Sequence, residues 1–194
     1  MNVALRRRMS LDECLVWEDR QERKWEFDGF QPVAIVGVTD AHAAIQANLL
    51  AALVQHLRGK PCRPRGSALR IEVAGSIRYP DAFVYCTPIA GDTRVVTEPV
   101  VVFEILSPST EHVDLVVKNA EYRATPSIQR YVVLQQMAPG ATVYSRKADD
   151  WVTEIVFGED ALRMPEIGIE IPLAELYLDV AFPVREEESP KQAS

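Results

Sequence analysis

The order of helical and strand patterns along this chain predicts an α/β (α+β) protein, with a central mixed β-sheet flanked by helices. Three observations carry that expectation. The patterns run helix, hairpin, helix, strands, helix, strands. The run "PVVVFEIL" (99–106) reads as a strand buried on both faces, as a central strand should be. A helical pattern between it and "IQRYVVLQQ" makes a strand-helix-strand crossover over 99–135, which places two strands parallel. At 194 residues the chain is long enough for one domain with a real core. No repeat or linker divides it, so residues 1–184 are read as a single domain and 185–194, "REEESPKQAS", as a flexible polar tail.

Each element has its own local cause. Ser10 N-caps a short helix, "SLDECLVWED", and Glu13 completes a capping box. "RKWEFDGFQPVAIVG" reads as a hairpin with its turn at Asp28-Gly29. Asp40 is expected to cap the clearest helix, "DAHAAIQANLLAALVQHLRG". Ala44, Ile45, Leu49, Ala52, Leu53 and Leu57 form its apolar stripe, and Gly59 ends it. "ALRIEV" (68–73), "IRYPDAFVYC" (77–86) and "PVVVFEIL" are three strands. "STEHVDLVVKNAEYRA" is a helix capped by Ser109 or Thr110, stopping before Pro126. "IQRYVVLQQ", "ATVYSRK", "DWVTEIVF" and "ALRM" are further strands, with turns at Pro139-Gly140 and Asp149-Asp150. "PLAELY" closes the series as a helical turn.

Hydrophobic residues are 47% and charged residues 25%, the composition of a soluble globular protein rather than a disordered chain. No apolar run approaches membrane-spanning length, and the basic "MNVALRRRMSLDE" lacks the apolar segment of a secretory signal. Cys14, Cys62 and Cys86 are odd in number and lack C-x-x-C spacing. That pattern fits a reducing cytoplasm and argues against zinc, and His42, His56 and His112 add no metal-ligand spacing.

The net charge of −7 argues against a general nucleic-acid binder. The charge is uneven, with 11 Lys/Arg against 8 Asp/Glu in residues 1–70 and 10 against 20 beyond. "RGKPCRPRGSALR" (58–70) holds five cations and no acid. Its ordinary reading is a solvated loop. Its functional reading is a set of phosphate contacts from Arg58, Lys60, Arg63 and Arg65.

Two acids sit where acids are costly. Glu104 lies inside "VVVFEIL", and Asp81 follows Pro80 inside "IRYPDAFVYC", where a proline marks an edge, bulge or bend. If those strands pair, the two carboxylates could converge at one end of the sheet, and then either one must be protonated or a cation must sit between them. A hard divalent ion, Mg²⁺ first, suits two carboxylates with waters and a phosphate oxygen. Singly, each acid has an ordinary alternative: a turn residue facing water for Asp81, a salt-bridged strand residue for Glu104. In the helix after Pro108, Asp114, Lys118 and Tyr122 fall at i, i+4 and i+8, near one stripe, with Glu121 beside it. Asp114–Lys118 reads either as an exposed ion pair or as a lysine reaching the carboxylates, where it could orient a water or stabilise developing charge. Ser107 is no nucleophile candidate, because no G-x-S-x-G frame surrounds it.

"RYPDAFVY", "VVFEILSPST" and "DLVVKNAEYRATPSIQRYVVL" resemble the Uma family of restriction-endonuclease-like proteins, a branch of the PD-(D/E)XK nuclease superfamily. "KWEFDGF" and "HAAIQANLLAALVQHL" are similar to the family's Glu-containing hairpin and His-led helix, so the resemblance covers about residues 10–180. It implies a restriction-endonuclease-like fold and Mg²⁺-dependent hydrolysis of DNA, with Mn²⁺ as an alternative ion. Asp81 and Glu104 become metal ligands, with the Ile105 carbonyl as a further oxygen. The superfamily lysine position is Leu106 here, and the resemblance offers Lys118 as its replacement. Glu26 becomes an accessory acid, and His42 and Tyr122 line the site. "RYVVLQQ" lacks the family's tryptophan and carries Gln135 where an acid is usual. A nuclease-fold protein without cleavage activity, serving in binding or assembly, is the competing expectation, favoured by the acidic surface and Leu106. A homodimer through the apolar strands after residue 130 is also expected.

Overall fold

The structure is a computed structural model and describes residues 8–35, 37–107, 112–148 and 150–182. Helix α1 (Leu11–Glu18) opens the fold with the expected capping box. Ser10 Oγ accepts from Glu13 N at 3.1 Å, and Glu13 Oε2 accepts from Ser10 N at 2.9 Å. The hairpin β1 (Trp25–Phe27) and β2 (Pro32–Ala34) follows. Its connection is longer than a two-residue turn. Asp28 Oδ1 accepts from the amides of Phe30 and Gln31, and Gly29 takes φ +85°, a conformation open to glycine at no steric cost.

Helix α2 (Asp40–His56) buries Ile45, Leu49, Ala52 and Leu53, with Leu57 beyond its end. Its cap corrects the sequence expectation: Thr39 Oγ1 accepts from His42 N, and Asp40 is the first helical residue. There Asp40 favours the positive end of the helix dipole without capping it. The expected loop at 58–70 is also corrected. Arg63–Gly66 form a strand, β3, because they pair antiparallel with the segment at 82–85.

The stretch read as one strand over 77–86 is two. β4 (Arg70–Val73) and β5 (Ser76–Arg78) form a hairpin through Ala74 and Gly75, both with positive φ, while β6 (Ala82–Tyr85) belongs to another sheet. The break falls at Tyr79–Asp81, where Pro80 cannot donate to a ladder. β7 (Val95–Val96) precedes β8 (Pro99–Ile105). A π-helical segment, Val113–Lys118, then runs into α3 (Asn119–Ala124), which ends before Pro126 as expected. The caps expected at Ser109 or Thr110 lie outside the described residues, as does the tail from 185. β9 (Arg130–Leu134), β10 (Gly140–Lys147), β11 (Asp150–Phe157), β12 (Ala161–Met164), β13 (Ile169–Pro172) and α4 (Leu173–Leu176) complete the chain.

A six-stranded sheet, β11-β10-β9-β8-β6-β3, forms the centre, with β8 and β9 parallel as the crossover requires. A second sheet, β2-β1-β5-β4-β7, stands beside it. Alternation along β8 divides the core. Val101, Phe103 and Ile105 face α2 and the β12–β13–α4 unit, while Val102 faces the layer of Tyr122 and Tyr131.

The cysteines also depart from expectation. Cys62 and Cys86 form a disulfide, leaving Cys14 as the free thiol among the described residues. The register explains it. Arg63 pairs with Tyr85, so the residues flanking that pair face each other across β3 and β6 despite a separation of 24 positions.

Candidate active site

The site forms where β6 begins and β8 ends. Ala82 pairs with Phe103 and Phe83 with Val102, so continuing the antiparallel register sets Asp81 opposite Glu104. Alternation turns Glu104 to the face of Val102, toward the segment carrying Lys118 and Tyr122. Asp81 shares a cleft of about 220 Å³ with Glu104, Ile105, Glu26, His42, Asp114 and Lys118. The cleft's wall includes the exposed apolar side chains of Val33, Ile35, Val38 and Val113.

Each acid is held in place. Asp81 Oδ2 accepts from Ile105 N at 2.8 Å and lies 3.2 Å from His42 Nε2. Gln46 Nε2 donates to both Asp81 Oδ1 and the Asp81 carbonyl. Glu104, 4% exposed, accepts from Lys118 Nζ at 2.9 Å and from the Tyr122 hydroxyl at 2.8 Å, both at Oε1. Lys118 Nζ also stands 3.1 Å from Asp114 Oδ1 and 3.5 Å from Glu26 Oε1. Asp114–Lys118 is thus a buried pair in the cleft rather than an exposed one. The π-helical winding carries both residues, the kind of local widening often found at functional sites.

Burial pushes the Glu104 carboxyl up to about 8; Lys118 opposes that rise, while Asp81, Asp114 and Glu26 add to it. Burial alone would depress the Lys118 ammonium, but Glu104, Glu26 and Asp114 outweigh it and hold its pKa above the ordinary value. Tyr122 is raised by burial and by Glu104, so its hydroxyl remains a donor.

Glu26 reaches the cleft from β1, taking Tyr79 N at Oε1 and Arg78 Nη1 at Oε2. Tyr122 lies beneath the cleft and touches Glu104 from behind. The four candidate phosphate contacts do not join them. Among the described residues, Arg58, Arg63 and Arg65 line a separate groove beside Cys62, and none of the four lines the cleft. Arg58 lies beyond the end of α2 opposite His42, and His56 at that end is already about 21 Å from His42 along the axis at 1.5 Å per residue. Lys60 donates to the Gly168 carbonyl, and Arg65 stacks over Tyr85.

A family model described as "Putative restriction endonuclease", Uma2, matches residues 11–178. The chain belongs to the Uma2 family. Two uncharacterized proteins of Synechocystis sp. are similar to this Uma2 protein. One is 31% identical over 179 residues, covering 90% of this chain and 94% of the relative. The other is 28% identical over 167 residues, covering 83% and 94%. A crystal structure described as a putative nuclease belonging to DUF820, from Anabaena variabilis, superposes with a TM-score of 0.72 at 18% identity. That superposition covers 87% of this chain and 97% of the other, and it shows a shared nuclease-type fold.

Two residues at this Uma2 site, Gln46 and Arg78, have no place in the sequence reading, and the role of a third, Glu121, is missing from it. Gln46 was findable, lying four residues after His42 on one helix face. Arg78 is a charge at the end of a strand, the same kind of anomaly as Glu104, and was legible on that ground. Glu121, placed by the sequence only beside the Lys118 stripe, takes two of the three nitrogens of the Arg78 guanidinium.

Proposed function

We propose that this chain is a divalent-metal-dependent endonuclease that hydrolyses DNA phosphodiester bonds. The observation that carries the reading is the Lys118 ammonium 2.9 Å from Glu104 in the cleft that Asp81 also lines. The donor set fits a hard cation. Asp81, Glu104 and the Ile105 carbonyl offer oxygen only, as Mg²⁺ prefers, and Mn²⁺ accepts the same ligands. Among the described residues no group of three or more His, Cys, Asp or Glu side chains could hold a metal ion. The reading therefore rests on two carboxylates, Asp81 and Glu104, with waters and phosphate oxygens completing the coordination. Bound there, such an ion would polarise the phosphate and lower the pKa of a coordinated water.

The protein's own groups supply the remainder. Lys118 keeps its positive charge and can orient an attacking water or stabilise charge developing on phosphorus oxygens. Tyr122 and Lys118 fix the Glu104 carboxyl, and His42, Gln46 and the Ile105 amide fix Asp81. Glu26 is an accessory acid anchoring the ammonium from the third side.

The test is plasmid nicking in Mg²⁺ or Mn²⁺ by wild type, Asp81→Ala and Lys118→Ala. Both variants should lose about 10²- to 10³-fold in rate. Undiminished nicking in both would assign the activity elsewhere.

One observation favours the inactive binding or assembly reading: Lys118, the Lys or Arg lining the described cleft, is already surrounded by three acids. Calorimetric titration of Mg²⁺ separates the two, since an inert module gives the same isotherm for wild type and Glu104→Gln. A homodimer would use β11, the sheet edge exposing Ile155 and Phe157, and Phe157→Lys should then yield monomers by light scattering. Among the described residues no helix is long and apolar enough to cross a membrane. The cytoplasmic placement expected from the cysteines loses that support with the Cys62–Cys86 bond.

A further inference from the structure

We infer that Arg78 is a positioning residue for the cleft: clamped by Glu121, it fixes Glu26 and, through Glu26, the ammonium of Lys118. This rests on the nuclease reading only for its effect on rate; the placement of Lys118 can be measured without it.

Arg78 is 2% exposed, at the end of β5. Its guanidinium is used on two sides. Nε and Nη2 hold both oxygens of Glu121 at 2.7 and 2.6 Å, a bidentate arrangement that fixes the plane of the group. Nη1, the remaining arm, reaches Glu26 Oε2 at 3.1 Å. Ser76 Oγ donates to Glu121 Oε1 at 2.9 Å, securing the clamp from the same strand. With Oε2 held by Arg78 and Oε1 by the Tyr79 amide, Glu26 presents Oε1 to Lys118 at 3.5 Å.

The direction of control follows from the geometry. Lys118 has three N–H donors and three acids around it, Glu104, Asp114 and Glu26. Asp114 is on the lysine's own helical segment and Glu104 on the central sheet. Glu26 comes from the second sheet, on a short hairpin, and its attachment to the cleft runs through Arg78 and the adjoining Tyr79 amide. A lysine in place of Arg78 could not grip Glu121 with two arms and reach Glu26 with a third. Arg78 touches no reacting atom, so its influence passes through the two side chains it orients.

A double variant separates positioning from charge balance. Arg78→Gln alone leaves Glu26 and Glu121 without their shared cation and is expected to destabilise the fold. Arg78→Gln with Glu121→Gln removes the buried charge together with its partner and should recover much of the lost melting temperature. In that double variant the Lys118 ammonium signal, followed by ¹⁵N NMR and ordered in wild type, should broaden or shift. The nicking kcat should stay about 10- to 100-fold down with KM unchanged. A Lys118 signal identical to wild type in the double variant overturns the inference, as does full recovery of kcat along with melting temperature. A Lys118 signal that responds in a protein cutting no DNA supports the positioning role while removing the nuclease reading.

Discussion

Lys118 Nζ and Glu104 Oε1 meet at 2.9 Å across 14 residues of chain, with both side chains almost fully buried. A buried ion pair is seldom retained for stability, because its desolvation costs several kcal/mol and a well-packed apolar pair often does as well. Here the pair opens onto a cleft and is surrounded by three further acids, Asp81, Asp114 and Glu26. The cluster carries more carboxyl groups than cations, an imbalance suited to an arriving metal ion.

Removing the ammonium should therefore be costly twice. Lys118→Met leaves Asp114 and Glu26, and Glu104 once it ionises above about pH 8, without their common cation, a loss of about 3–5 kcal/mol at that pH by analogy with broken buried pairs. Urea unfolding measures it. A destabilisation under about 1 kcal/mol, the range of exposed pairs, would contradict the buried network.

How much of this was legible in the sequence depended on whether a residue broke a local pattern. Glu104 did, being a carboxylate in an apolar strand, and Asp81 did, following a proline. Lys118 was reachable because Asp114, Lys118 and Tyr122 repeat every four residues. Arg78 and Glu121 lie 43 positions apart and meet through tertiary packing, with no spacing to betray them. Short strands failed for a related reason. Arg63–Gly66 has two arginines, a proline and a glycine, no strand signature at all, and pairs because β6 offers it a partner. Cys62 and Cys86 faced the same limit, since register, not spacing, brings them together.

Tyr122→Phe removes one donor to Glu104 and keeps the ring packed against Tyr131 at 4.8 Å between centroids. Stability should fall by about 0.5–1.5 kcal/mol, the usual worth of one hydrogen bond. Nicking should persist at a reduced rate, because Lys118 still orients the carboxyl. Complete loss of nicking with normal unfolding would mean that the hydroxyl acts on substrate.

The Cys62–Cys86 bond joins residues 24 positions apart and closes a loop that carries β3, β4, β5 and all of β6. Cross-linking such a loop stabilises by about 2–4 kcal/mol through the unfolded chain. A thiol reductant should lower the denaturation midpoint of wild type, and Cys62→Ser with Cys86→Ser should match the reduced protein and ignore the reductant. Coincident unfolding curves for all of these would show that the bond contributes nothing to the fold.

The raised pKa of Glu104 gives the metal-free protein a pH dependence of definite sign. Its carboxyl titrates near 8 when folded, against an ordinary value of 4.5. Between those limits the folded protein holds a proton that the unfolded chain has released, so this group makes stability fall as pH rises, with the loss complete above about pH 8. Lys118, raised in the folded state, stays charged across that window and contributes no opposing slope. A divalent ion selects the ionised carboxylate, so its stabilising effect must grow over the same range. The rise in melting temperature caused by Mg²⁺ should thus be larger near pH 8 than near pH 6. Glu104→Gln should flatten both the metal-free slope and the metal-induced rise. A Mg²⁺ effect independent of pH, or one unchanged in Glu104→Gln, would remove Glu104 from the metal's coordination and leave its burial beside Asp81 in need of another cause.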